Sequence, residues 1–149
     1  MFHRTGTMPL NCPPLMKRFL SPKTIFSFFL ISLFFGCGEK QKSLYEEIDF
    51  SAIPTDVLAN GEAVYARSCF ACHTYGLNGA ASLDDTKVWD QAAKKGIEIL
   101  YQNVFQGYTG MEGVMPKKGN CWDCGEHDIR NAIVYMYSHV IVFKKESTH

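Results

Sequence analysis

The sequence predicts an all-α domain of about four short helices, and three observations carry that prediction. Ile129, Ala132, Ile133, Met136, Tyr137 and Val140 step by three, one, three, one, three, an apolar stripe at helical period. Two further stretches, "KVWDQAAKK" and "IEILYQNVFQ", each run up to a glycine, Gly96 and Gly107, placed as a helix stop. No period-two alternation competes with these patterns, and no internal repeat occurs.

In chain order, residues 1–36 read as a signal-peptide region. Positive charges at Lys17, Arg18 and Lys23 precede an apolar run from Ile25 to Phe35. That run has the length of a signal-peptide core and is too short for a bilayer span of about 20 residues. Residues 1–15 fit no part of such a peptide, so Met16 is the expected start. Gly36-Cys37 resembles the lipobox of bacterial lipoproteins, which makes Cys37 the expected site of lipidation and of a membrane anchor. The stretch that follows, through residue 54, is charged and aperiodic. It reads as a flexible tether whose ends lie roughly 20–25 Å apart.

The folded domain is expected over 55–144, with a short tail at 145–149. Thr55 or Asp56 is placed to cap a first helix through "VLANGEAVYARS", with Val57, Gly61, Val64 and Tyr65 on one face. The middle pair and the last helix complete the set, joined by long glycine-containing loops at 74–86 and 107–120. Four short helices make a thin core that calls for reinforcement.

Charge excludes one class of function. The chain is formally neutral, but from Cys37 onward 11 Lys and Arg face all 15 Asp and Glu. A mildly acidic domain is not built to bind nucleic-acid phosphate by bulk charge.

The chemistry lies in "CFACH", residues 69–73, the C-x-x-C-H sequence of covalent c-type haem attachment. Two thiols about one helical turn apart, Cys69 and Cys72, can each add to one porphyrin vinyl group, and His73 then lies beneath the iron. A competing metal reading joins them to Cys121 and Cys124 as a zinc site. The 48 residues between the pairs exceed the usual zinc-ribbon spacing of about 15–20. Haem iron with one histidine takes a sixth ligand or keeps an open face, and a thioether suits electron transfer. Met115 is the candidate, in a glycine-bounded loop where Pro116 fixes the backbone, 42 positions after His73. Met111 is held in reserve.

Taken together, "CFACH", "MPKKGNCWDC" and "IRNAIVYM" resemble a class I cytochrome c, and most closely the cytochrome c-five type, over residues 55 to about 143. The resemblance implies a class I cytochrome c fold wrapped around one covalently attached haem c, with His73 and Met115 as axial ligands. It also implies a disulfide between Cys121 and Cys124, just before the last helix. A second haem is not expected there, because Gly125 and not histidine follows Cys124. The family's proline carbonyl, which accepts from the haem histidine, has no proline here, and by position Ala81 takes its place. Gly61 and Tyr135 match the family's contact between first and last helices. Trp89 and Tyr101 are candidates for the haem-pocket wall, with Trp89 donating its N–H to a propionate, or else for ordinary core packing. His127 and His139 read as solvated surface residues. Lys117 and Lys118 read either as a patch that steers an acidic partner or as a solvated face.

The expected function is an exported, membrane-tethered one-electron carrier, not an enzyme, with redox proteins as partners and no small-molecule substrate. The expected location is the bacterial periplasm or the outer face of a membrane. Two rivals stand beside it: a dedicated electron-input subunit of a membrane oxidoreductase, and a haem-based redox or gas sensor with a labile methionine.

Overall fold

The computed structural model describes residues 40–110 and 113–147. The signal-peptide region 1–36, the start at Met16, Cys37 and the reserve ligand Met111 lie outside the described residues. Helices α1 (Leu44–Glu47), α2 (Thr55–Val64), α3 (Phe70–Tyr75), α4 (Thr86–Ala93), α5 (Gly96–Gln106) and α6 (Glu126–Glu146) follow one another. A π turn over Tyr65–Cys69 joins α2 to α3, with the Phe70 N–H reaching back to the Tyr65 carbonyl.

The predicted stripe is the core-facing side of α6: Ile129, Ala132, Ile133, Met136, Tyr137 and Val140 are all buried. Val64, Tyr65, Trp89, Ala93 and Tyr101 pack with them. Helices α2 and α6 cross at Gly61, where the absence of a side chain is a steric requirement. A Cβ there would lie 2.3 Å from the Asn131 carbonyl oxygen and 2.7 Å from the Tyr135 Cβ. The crossing is tied by Asn60, which donates to Asp128 at 2.9 Å and accepts from the Asn131 amide at 2.9 Å. Gly107, at positive φ, closes α5 as predicted, whereas α4 ends at Ala93 and Gly96, also at positive φ, is the first residue of α5 rather than the stop of α4.

Asp128 also accepts the Gly125 N–H at 2.9 Å, satisfying a donor at the start of α6. The Asn60 and Gly125 bonds hold its carboxyl below the usual carboxylate range. A depressed folded-state pKa gives stability that is present above the unfolded value, about 3.9, and lost as pH falls through the folded one. Asp128→Ala should therefore cost about 1 kcal/mol in urea unfolding at pH 7. The gap to the native protein should close as pH drops below about 4.

Three features depart from the sequence expectation. The flexible tether over 38–54 is replaced, from Ser43 onward, by a segment seated on the domain. Leu44 has no exposed surface, and Tyr45, Ile48 and Phe50 pack against the core. Apolar side chains within a charged stretch found a groove to fill, and their burial offsets the entropy of ordering the segment. The Met115 loop, expected to lack strands, contains an antiparallel pair, β1 (Tyr108–Thr109) with β2 (Val114–Met115), in which Tyr108 faces Met115. Two-residue strands are too short to register as alternation. At the other end, α6 runs through Glu146 and so takes in the first residues of the expected tail. No helix among the described residues is long and apolar enough to cross a membrane.

Candidate functional site

The path from α2 through the π turn into α3 places Cys69, Cys72 and His73 on consecutive turns of one rod. Cys69 and Cys72 are free thiols, each half-buried. Burial, with Cys72 beside it adding a smaller effect, pushes the Cys69 thiol up to about 11. At pH 7 it is therefore a neutral thiol. Cys121 and Cys124 are bonded to each other across a Cα separation of 5.4 Å. Their sulfurs lie close to the Asp123 carboxylate. Bonded sulfurs supply no thiolate, so the four-cysteine zinc arrangement does not exist here.

His73 is oriented by the loop that follows it. Its Nδ1–H donates to the Ala81 carbonyl at 2.9 Å, since a carbonyl can only accept. The Nε2 lone pair is left for a metal, and the bond fixes the ring's rotation. The same loop is anchored by the Leu83 N–H on the His73 carbonyl at 2.9 Å. Burial pulls the imidazole below its ordinary pKa, against the opposing effect of the Ala81 bond, so the ring is neutral at pH 7. Any residue supplies a carbonyl, which is why alanine serves where a proline was looked for.

Trp89 packs its ring against His73 at 5.5 Å and stands edge-on to Tyr137 at 5.2 Å. Its indole N–H is spent on the Ser82 carbonyl at 2.7 Å, so the expected donation to a propionate is replaced by an internal bond. Burial makes that exchange necessary, because an indole N–H enclosed without a partner is costly. Tyr101 is buried between α5 and α6, with Phe105 at 5.3 Å and the Arg130 guanidinium at 4.3 Å from its ring. His127 is exposed as expected, whereas His139 is half-buried and lies 4.6 Å from the Tyr135 ring.

Met115 is half-buried at the end of β2. Its loop touches the His73 segment on both sides. Upstream, a Cβ on Gly113 would lie 2.1 Å from the Asn78 carbonyl oxygen, so the hairpin backbone rests directly on the turn after His73. Downstream, a Cβ on Gly119 would lie 3.9 Å from the Cys69 sulfur. The stretch that holds Met115 is thus bracketed by contacts to Asn78 and Cys69. The hairpin is closed by the Gly110 N–H on the Gly113 carbonyl at 2.9 Å.

Arg67, which the sequence did not single out, and Lys118, read there as part of a steering patch or a solvated face, complete the support. Arg67, on the π turn, pairs with Asp123 at 3.1 Å and reaches the Cys124 sulfur at 3.1 Å, tying the disulfide turn to the attachment segment. Lys118 donates to the Cys124 carbonyl at 2.7 Å and lies over the Phe105 ring at 4.8 Å. It is a brace for the turn after Met115. A lone arginine and one of two adjacent lysines carry no sequence signal for either role.

The donor set fits a covalently held haem: two free thiols, a neutral imidazole with one nitrogen uncommitted, and a methionine in a loop whose glycines lie against that segment. The comparisons point the same way. The family model described as cytochrome c oxidase, cbb3-type, subunit III matches residues 56–136. Cytochrome c-555 of Chlorobaculum thiosulfatiphilum is 36% identical over 78 residues, covering 52% of this chain and 91% of that protein. Cytochrome c5 of Ectopseudomonas mendocina is 32% identical over 79 residues, covering 52% and 86%. Cytochrome c5 of Azotobacter vinelandii is 34% identical over 76 residues, covering 50% and 87%.

Proposed function

The chain belongs to the class I cytochromes c, of the c5 type, with one covalently bound haem c and the role of an electron carrier, and we propose that it is an exported, membrane-tethered carrier in which His73 and Met115 are the axial ligands. Cys69 and Cys72 hold the haem covalently in this reading. When bound, it supplies a single redox centre that takes up and gives back one electron. His73 contributes Nε2, with its orientation set by the Ala81 carbonyl. The observation that carries the reading is the bracketing of Met115 by the Gly113–Asn78 and Gly119–Cys69 contacts.

Trp89, packed on His73 and backed by Tyr137, keeps water from the His73 side, which limits the reorganisation that accompanies a change of charge. The Cys121–Cys124 bond closes a very short loop, so its entropic contribution is about 2 kcal/mol. Its larger role is to fix the turn between the Met115 loop and α6. Two filled axial positions leave no coordination site for a substrate, so this reading assigns the chain no catalysis of its own. Cys37 is the lipidation site and the compartment is extracytoplasmic.

The test is the absorption spectrum of the oxidised holoprotein. A weak far-red methionine–iron band is expected, retained in Met111→Leu and lost in Met115→Leu. A high-spin spectrum in the native protein would overturn the axial pair in favour of a sensor. Retention of the band in Met115→Leu would move the ligand elsewhere.

A further inference from the structure

The segment seated on the domain, residues 43–50, lies upstream of residues 56–136, the part of the chain that the family model matches. It forms a strap held at several points. Leu44 has no exposed surface, and Glu47 accepts the Ile97 N–H at 2.7 Å, at the start of α5. The Tyr45 hydroxyl donates to Asp90 at 2.8 Å, and Lys144 holds the same carboxylate at 2.8 Å.

What the strap covers is the back of the His73 site. Tyr45 stands edge-on to Tyr137 at 5.9 Å, Tyr137 edge-on to Trp89 at 5.2 Å, and Trp89 meets His73 at 5.5 Å. The polar edges of this ring column are fixed as well. The Tyr137 hydroxyl donates to the Trp89 carbonyl at 3.1 Å, and the Trp89 N–H to the Ser82 carbonyl at 2.7 Å. Ser82 adjoins Ala81, whose carbonyl takes the His73 Nδ1–H at 2.9 Å. Tyr137 and Trp89 are buried, whereas Tyr45 is half-buried. Beside it a cleft of about 460 Å³, lined by Tyr45, Ile48, Phe50 and Ile141, opens to solvent. A water takes up roughly 30 Å³, so the cleft brings liquid water to the Tyr45 ring. That ring is the last one between the water and Tyr137.

We propose, on the reading that His73 ligates the haem, that Tyr45 is a positioning residue for the redox centre. Its ring seals the column behind His73 against water and thereby raises the reduction potential. Ferric haem carries one positive charge more than ferrous haem, so water admitted behind the ligand favours the ferric form. The Tyr45 hydroxyl has the lesser part, because Lys144 keeps hold of Asp90 without it. Leu44 and Glu47 keep the strap in place when the Tyr45 ring is cut back.

The experiment takes two readouts from the holoprotein. One is the haem's redox equilibrium against a reference dye; the other is deuterium exchange of the Trp89 indole N–H, followed by NMR of the reduced form. Trp122, the other tryptophan, is 73% exposed and gives the fast-exchanging reference. Tyr45→Ser is expected to speed Trp89 exchange roughly tenfold. It should also shift the haem equilibrium severalfold toward the ferric form. Tyr45→Phe, which keeps the ring, should stay near the native protein in both readouts. Asn60→Ala, an uncharged change at the α2–α6 crossing, controls for lost stability: its unfolding midpoint should fall while its potential stays in place. A native potential in Tyr45→Ser, or an equal shift in Asn60→Ala, overturns the inference. A low-spin spectrum retained in His73→Gly would instead remove the ligation on which the seal acts.

Discussion

On the proposed His73–Met115 ligation, Gly113→Ala should strip Met115 from the iron while leaving the haem attached and the helices folded. The added Cβ would meet the Asn78 carbonyl oxygen at 2.1 Å, the Asn78 carbonyl carbon at 3.2 Å and the Gly79 Cα at 3.3 Å. All three are backbone atoms, so no side chain can swing aside, and the hairpin or the turn after His73 must retreat. Met115 lies two residues further along the chain, at the end of β2, so a retreat of the hairpin carries it along. The far-red band should be lost or reduced severalfold, the reduced protein should bind carbon monoxide, and the reduction potential should fall. Gly110→Ala is the matched control. Its nearest neighbour is the edge of the Tyr108 ring at 3.3 Å, which can yield, so the band should remain. An unchanged band in Gly113→Ala would show that the hairpin contact does not position the ligand.

Gly61→Ala should cost about 3 kcal/mol, a large effect for a single methyl group. On an open helix surface the same change stabilises by roughly 1 kcal/mol, because glycine is the poorer helix former. Here the sign reverses. The Asn131 carbonyl oxygen at 2.3 Å and the Tyr135 Cβ at 2.7 Å belong to α6 itself, so α2 and α6 must separate along their length of contact. Separation also pulls apart the Asn60, Asn131 and Asp128 hydrogen bonds that join the two helices. Thermal unfolding of the oxidised holoprotein should show a midpoint lower by at least 10 °C or so. A midpoint within a few degrees of the native value would mean that the crossing relaxes easily.

Legibility in the sequence followed the range of the interaction. The α6 stripe was readable because six apolar positions share one helical period, and the structure buries all six. "CFACH" was readable because its chemistry is compressed into five consecutive residues. The Cys121–Cys124 pairing came from resemblance, since spacing alone also allowed a half-site for metal. The seated segment was missed because α1 is four residues long, too short for any period to show through "SLYEEIDF". The contact of Gly113 with Asn78 was missed for a different reason. It joins two loops far apart in the chain, and a glycine chosen for close approach looks like one chosen for a turn. Trp89 shows a further limit: burial could be anticipated, but not which carbonyl its N–H would find.

The π turn over Tyr65–Cys69 has a further consequence. A regular α-helix advances 100° per residue, and a π turn holds one residue more than the α turn it replaces. It is an angular offset set between two sections of one shaft. Upstream, the azimuth of Gly61 is dictated by α6; downstream, on the proposed reading, the azimuth of Cys72 and His73 is dictated by the prosthetic group. A straight shaft would have to satisfy both with one phase. The offset decouples them, so the scaffold's helix crossing and the orientation of the redox centre are free to be adjusted separately.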